Sequence, residues 1–187
     1  MTPYWQSADG SITVYCARWE DVHAAGLVGE IDLTHADPPY GIDKDSHRPS
    51  TAKVPRIGAG KAFPPMQGNA GPFDPASLLA LNRPLVTWGA NHYASRLPDS
   101  PSWMLWDKRD GVTSDNCADG ELAWSNLGGP LRIFRYLWRW GARGPETGLH
   151  VHPTQKPKAL STYVFQKAKL RPGARVFVPY LGSGPDL

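Results

Sequence analysis

A carboxylate, two prolines and an aromatic ring stand together at Asp37-Pro38-Pro39-Tyr40. The exocyclic amino group of a nucleobase is a poor nucleophile because its lone pair is delocalised into the ring. A carboxylate and a rigidly held backbone carbonyl can each accept one amino hydrogen, which favours a tetrahedral nitrogen that attacks a positioned methyl sulfonium. Tyr40 could stack on a base flipped out of a duplex. The alternative is that the tetrapeptide is only a rigid turn.

Two further stretches have residue types suited to a ligand. They are His152-Pro153-Thr154-Gln155-Lys156-Pro157 and, after the last predicted strand, Leu181-Gly182-Ser183-Gly184. A glycine-containing turn at the carboxyl end of a strand is where open α/β sheets bind nucleotides. Taken alone, that turn is equally well explained as a tight turn without a ligand.

Together the three stretches resemble the DNA N6-adenine and N4-cytosine methyltransferases, in which DPPY, HPTQKP and FxGxG motifs recur. Their order matches the permuted, β-class arrangement, and segments 106–109 and 121–124 look like parts of small phage-type members. The resemblance implies S-adenosylmethionine as cofactor and double-stranded DNA as substrate. Aspartate rather than serine at the first catalytic position favours adenine over cytosine.

The resemblance also implies roles for individual residues. The catalytic set is Asp37, Pro38, Pro39 and Tyr40, and the cofactor set is Thr154, Gln155, Lys156, Pro179, Tyr180, Gly182, Ser183 and Gly184. No metal is implied.

The sequence departs from the family pattern near its carboxyl end. Val178 stands where an acidic residue is usual, and Pro185-Asp186-Leu187 replace the usual threonines. The helix and strand that follow in the family, including the acid that holds the cofactor ribose, are not in this sequence. We therefore expect weak cofactor affinity, and a second interpretation is a truncated relic that binds DNA without turnover. An RNA or protein methyltransferase is a third, since NPPY-type motifs methylate other planar nitrogens.

The elements that must position these residues alternate between strand and helix. Strands are predicted at 12–15, 30–36, 85–88, 102–106, 121–125 and 175–178, with one long strand or a strand pair at 131–140. Helices are predicted at 19–25, 76–81, 91–97 and 157–170. This alternation predicts a single α/β domain over residues 1–187, with a doubly wound, mostly parallel sheet. By the resemblance, the fold is the Rossmann-like methyltransferase fold without its last αβα elements.

The strand predicted at 12–15 belongs, by that resemblance, on the cofactor side of the sheet, where its neighbour is missing. Either it closes up against the strand at 175–178, or a sheet edge stays exposed for another chain, such as a second copy in a homodimer.

Two irregular stretches, 43–73 and 141–151, are the expected DNA-contact regions. Basic side chains in and next to them would meet phosphates: Arg48, Lys53 and Arg56 in the first stretch, Arg143 in the second and Arg139 just before it. The alternative is a pair of solvated loops.

Composition sets outer bounds on function. The net charge of +3 is compatible with a polyanionic partner but does not require one. Two cysteines make neither a disulfide framework nor a zinc site, and no apolar run is long enough for a membrane span, so a cytoplasmic protein is expected.

Other aromatic and polar residues have two interpretations each. The eight tryptophans are expected mainly in the core, with base stacking as the alternative. His35, His92 and His150 are expected to be structural or solvated. Asn91 and Tyr93 follow a strand end and could border a base pocket, although Asn91 could equally cap a helix.

Overall fold

The structure is a computed structural model that describes residues 1–41, 68, 70–111, 118–138, 146 and 154–187. Within these residues there are eight strands and three α-helices. In chain order they are β1 (Trp5–Gln6), β2 (Thr13–Val14), α1 (Trp19–Ala24), β3 (Leu33–Ala36), α2 (Ala76–Ala80), β4 (Leu85–Trp88), β5 (Trp103–Asp107), β6 (Gly120–Ser125), β7 (Arg132–Arg135), α3 (Lys158–Lys167) and β8 (Val176–Phe177).

Six of the strands form one sheet, in the order β7-β5-β6-β4-β3-β8. β3 pairs in parallel with β4 on one side and with β8 on the other, and β5 pairs in parallel with β7. β6 is antiparallel to both of its neighbours, β4 and β5. The sheet is therefore mixed but mostly parallel, which confirms the predicted α/β class.

The central strands are apolar and covered on both faces. Every residue of β3 and β4 is buried, as expected for parallel strands with helices on each side. On one face α3 contributes Leu160 and Val164 to a core that includes Leu33 and Trp106. On the other face Trp19 of α1 and Leu78 of α2 pack with Ala36 and Trp124.

The aromatic residues largely confirm the core interpretation. Trp19, Trp88, Trp106 and Trp124 are all buried, whereas Trp5 is exposed. Asp74 accepts a hydrogen bond from the backbone N–H of Ala76, the first residue of α2, at 3.0 Å.

Several predicted elements have different bounds or positions. The segment 12–15 yields only β2, which pairs with β1 in a separate antiparallel hairpin and does not join β8. Consequently β8 is an edge strand of the six-stranded sheet in the part of the chain that the structure describes. Of the long strand predicted at 131–140, the described residues form β7, and beyond it the backbone N–H groups of Tyr136 and Trp138 still donate to the carbonyls of Asp107 and Lys108 at 3.0 Å.

The prediction of a helix at 91–97 is wrong. Two 3₁₀ turns occupy this stretch, Ala90–His92 and Ala94–Arg96, with Tyr93 at φ −139° between them. The Tyr93 hydroxyl donates to the carbonyl of Trp88 at 2.6 Å and lies 2.7 Å from the Thr87 hydroxyl. These bonds tie Tyr93 to β4 and interrupt the helix. Asn91 lies inside the first turn, so it is not a helix cap.

None of the helices in the described ranges has the length and apolarity needed to cross a membrane.

Candidate active site at the carboxyl edge of the sheet

The predicted catalytic segment lies at one edge of the sheet, where several strands end. Asp37 follows β3 directly, and β4, β5 and β8 run in the same direction as β3, so all four strands end at this edge. β6 runs the opposite way and therefore begins here, which brings Glu121 to the same place. The carboxyl edge of such a sheet is where open α/β proteins bind their ligands.

Asp37, Tyr40 and Lys156 form one hydrogen-bonded cluster. The Tyr40 hydroxyl donates to Asp37 Oδ1 at 2.5 Å, and the Lys156 ammonium contacts Asp37 Oδ2 at 3.1 Å. Lys156 also donates to the Tyr40 hydroxyl at 3.1 Å. Two of the predicted stretches, one from the end of β3 and one from the start of α3, thus meet at a single carboxylate.

Glu121 and Lys108 complete this cluster, although the sequence interpretation assigned neither a role in a site. Glu121 Oε2 lies 2.8 Å from the Lys156 ammonium and 3.2 Å from the Tyr40 hydroxyl, and its other oxygen accepts a hydrogen bond from Lys108. The sequence feature that could have identified them is a charged residue next to an apolar strand. Lys108 follows Trp-Met-Leu-Trp-Asp, and Glu121 is the first residue of Glu-Leu-Ala-Trp. Such a charge needs a partner.

The charges in the cluster stabilise one another. Burial raises the pKa of the Glu121 carboxyl, but the ammonium groups of Lys156 and Lys108 outweigh burial and hold this pKa at about 2. Burial lowers the pKa of Lys156, and the carboxylates of Asp37 and Glu121 outweigh it and raise that pKa above its ordinary value. Burial, reinforced by Asp37 and Glu121, raises the pKa of the Tyr40 hydroxyl, which stays protonated. Glu121 and Lys156 are both charged at neutral pH.

The ring of Tyr40 is held between neighbouring groups. His92 stacks on it with a centroid distance of 5.2 Å and an angle of 18° between the rings, and Lys156 lies 5.4 Å from its centroid. Gly89, directly after β4, has a φ of 70°, and a Cβ at this position would lie 2.0 Å from the Tyr40 ring. Only glycine at position 89 therefore leaves room for the Tyr40 ring. His92, expected to be structural or solvated, is exposed at the rim of the cluster.

The glycine turn lies at the same edge, beyond the strand next to β3. Gly182 and Gly184 have positive φ values of 56° and 73°, and a Cβ at Gly182 would meet no atom within 4 Å. Before the turn, the Tyr180 hydroxyl accepts a hydrogen bond from Trp19 at 3.1 Å, and its ring contacts Phe73 edge-on. The turn thus exposes backbone at Gly182, and Pro179 and Ser183 are both partly buried.

The remaining cofactor-set residues lie before α3. Thr154 and Gln155 are partly buried, and the carbonyl of Gln155 accepts a hydrogen bond from Trp138 at 2.8 Å. The structure places the Lys156 ammonium in the cluster with Asp37 and Tyr40. Several residues named in the sequence analysis lie outside the described residues. They are His150, His152, Pro153, most of the stretches 43–73 and 141–151, and the basic residues Arg48, Lys53, Arg56, Arg139 and Arg143.

His35 has the structural role that was expected for it. Its Nε2 accepts a hydrogen bond from the Trp88 indole at 2.9 Å, and its Nδ1 lies 2.6 Å from Asp186 Oδ1. Burial raises the pKa of Asp186, but the hydrogen bond with His35 outweighs it and lowers that pKa. This buried chain ties the segment after the glycine turn to β3 and β4.

The site as a whole combines a partly exposed carboxylate, a buried ammonium and an open backbone turn on neighbouring strands. No protein-family model matches the sequence, and no curated protein matches it. Its chemistry is therefore inferred from its own residues.

Proposed function

We propose that this protein is an S-adenosylmethionine-dependent DNA methyltransferase that modifies an exocyclic amino group, adenine N6 in preference to cytosine N4. The observation that carries the proposal is the position of Asp37. Its carboxylate stands at the end of β3, beside the strand that leads to the glycine turn, and its side chain is 27% exposed. The resemblance of the three sequence stretches to the amino-methyltransferases supports the same conclusion.

The residues of the catalytic segment suit this chemistry. Asp37 would accept one amino hydrogen, and the backbone carbonyl of Pro38, which the following proline makes rigid, would accept the other. The cofactor would supply the methyl group and leave as a neutral thioether, and the positive charge would pass to the amino nitrogen that receives the methyl group. Its surplus proton would pass to the Asp37 carboxylate and then to solvent, to which the Asp37 side chain is 27% exposed.

Described residues around the glycine turn fit the cofactor. Space above Gly182 lets a ligand approach the backbone, and Tyr180 offers an aromatic wall that Trp19 and Phe73 hold in place. Pro179, Ser183 and Gly184 would complete this side, and Thr154 and Gln155 would lie towards its methionine end. When bound, S-adenosylmethionine supplies an electrophilic methyl group on a sulfonium.

The direct test is transfer of a radiolabelled methyl group from S-adenosylmethionine to mixed-sequence duplex DNA, followed by nucleoside analysis. We expect N6-methyladenine from the wild type, and loss of transfer in Asp37→Ala with DNA binding retained. Glu30→Ala removes an exposed carboxylate elsewhere and serves as the control. N4-methylcytosine would correct the preferred base. DNA binding by folded wild type without transfer would support the relic interpretation and contradict the proposal.

A further inference from the structure

The Lys156 ammonium is shared among three acceptors in the cluster. It lies 2.8 Å from Glu121 Oε2, 3.1 Å from Asp37 Oδ2 and 3.1 Å from the Tyr40 hydroxyl. An ammonium has three N–H donors, so these contacts use all of them. The shortest of the three is the contact with Glu121.

This sharing bears on the availability of Asp37. Tyr40 occupies one oxygen of Asp37, and Lys156 contacts the other. A hydrogen bond from an ammonium to a carboxylate is roughly twice as strong as one between neutral groups, so a neutral amino group competes poorly for an oxygen that Lys156 holds alone. Asp37 can serve the substrate only if another acceptor retains Lys156.

Glu121 is placed to be that acceptor. It is fixed by Lys108, which bonds to its other oxygen, and by its position in β6, opposite Trp106 of β5. Its side chain is 17% exposed and that of Lys156 is 9% exposed, so water is a weak competitor for either group. The two carboxylates and two ammonium groups of the cluster balance in charge.

We infer that Glu121 is a positioning residue: it holds the Lys156 ammonium at 2.8 Å, so that Lys156 contacts Asp37 Oδ2 only as a shared partner at 3.1 Å and the target amino group can compete for that oxygen. The inference rests on the proposed methyl transfer, because it assigns Glu121 a part in that reaction. In this role Glu121 acts on the reaction through Lys156.

Glu121→Gln tests this role, because it preserves the shape of the side chain and removes its charge. Lys156 should then move closer to Asp37, and misplacement of this kind should lower kcat by about 100-fold. The KM for DNA should change by less than about threefold, since positioning affects the reaction more than binding. Asp119→Asn is the matched control. Asp119 lies two residues earlier and pairs with Arg109, but its side chain is 69% exposed and outside the cluster.

A double variant separates positioning from charge balance. In Glu121→Gln the buried cluster keeps an unpaired positive charge, which by itself could disturb the fold. Adding Lys108→Gln restores neutrality, with Asp37 and Lys156 as the remaining charges. If Glu121 only balances charge, the double variant recovers wild-type kcat and the inference is overturned. If Glu121 positions Lys156, kcat stays low.

The ammonium can also be observed without turnover. Nitrogen-15 NMR of side-chain ammonium groups should show protected Lys156 protons in the wild type, and a changed Lys156 signal in Glu121→Gln but not in Asp119→Asn. If the wild type transfers methyl groups, an unchanged Lys156 signal in Glu121→Gln overturns the inference but not the proposed function. An unchanged kcat in Glu121→Gln does the same. No transfer by folded wild type overturns the proposed function and, with it, the inference.

Discussion

Gly89 and Tyr40 show how closely two residues from different strand ends depend on each other. A methyl group at Gly89 would lie 2.0 Å from the Tyr40 ring, so the ring would have to move. Moving it would break the bonds of its hydroxyl with Asp37 and Lys156.

We therefore expect Gly89→Ala to lower methyl transfer by about 100-fold, as for other displacements of about 1 Å at a reacting group. Gly26→Ala is the control, because Gly26 has a φ of 71° and a Cβ there would meet no atom within 4 Å. In both variants an alanine must adopt the left-handed backbone conformation, which should lower the free energy of unfolding by about 1–2 kcal/mol. Equal transfer by the two variants would show that Tyr40 is not held by this contact.

At the residue scale, the sequence identified three of the five residues of the cluster. Asp37 and Tyr40 were identified because a carboxylate, prolines and a ring are adjacent in the chain. Lys156 was identified through its motif as a cofactor residue, and its contacts with Asp37 and Tyr40 were found only in the structure. Glu121 and Lys108 were not assigned to a site, because their partners are distant in the chain and a lone charge in a strand does not name its partner.

Helix α3 positions Lys156, which lies two residues before its first turn, and it is anchored by Leu160 and Val164. Leu160 is 1% exposed and packs with Leu33 and Trp88 in the core on that face. Removing a buried leucine side chain costs about 2–5 kcal/mol in the free energy of unfolding.

We accordingly expect Leu160→Ala to lower the free energy of unfolding by about 2–5 kcal/mol, measured by urea titration. Gln166→Ala, on the exposed side of the same helix, should change it by less than about 0.5 kcal/mol. A small effect of Leu160→Ala would mean that α3 is not docked as described.

At the element scale, the prediction of α3 was confirmed, with slightly different bounds. It was expected at 157–170 and spans Lys158–Lys167, because Pro157 has an extended backbone and Lys169 adopts a φ of 55°, which helices do not continue through. The helix expected at 91–97 failed for a tertiary reason. Tyr93 turns inward to hydrogen-bond with Thr87 and Trp88, and no local pattern encodes that bond.

The charged cluster connects β3, β6 and the start of α3, so its protonation should affect the stability of the whole molecule. The pKa of Glu121 is about 2 in the folded protein, below its ordinary value of 4.5. A group with a depressed pKa stabilises the fold above its unfolded pKa, and this contribution is lost as the pH falls through the folded pKa. The sensitive window is thus between pH 4.5 and pH 2.

We expect the free energy of unfolding to fall steeply across this window in the wild type, and less steeply in Glu121→Gln, which has no carboxyl to titrate. Urea unfolding at a series of pH values measures both slopes. Asp119→Asn should retain the wild-type slope. Identical slopes in the wild type and Glu121→Gln would mean that Glu121 is not held ionised by Lys156 and Lys108.

The sequence by itself determined the α/β class, the order of most strands and helices along the chain, and the chemistry expected at Asp37 to Tyr40. These depend on local patterns: apolar runs, glycine and proline positions, and residues adjacent in the chain. Only the tertiary structure decided that β6 enters the sheet antiparallel, that the hairpin of β1 and β2 stays apart, and that Lys156 meets Asp37 beside Glu121. The physical reason is that strand order and charge pairing are chosen by the free energy of burying distant segments together, which no short stretch of sequence contains.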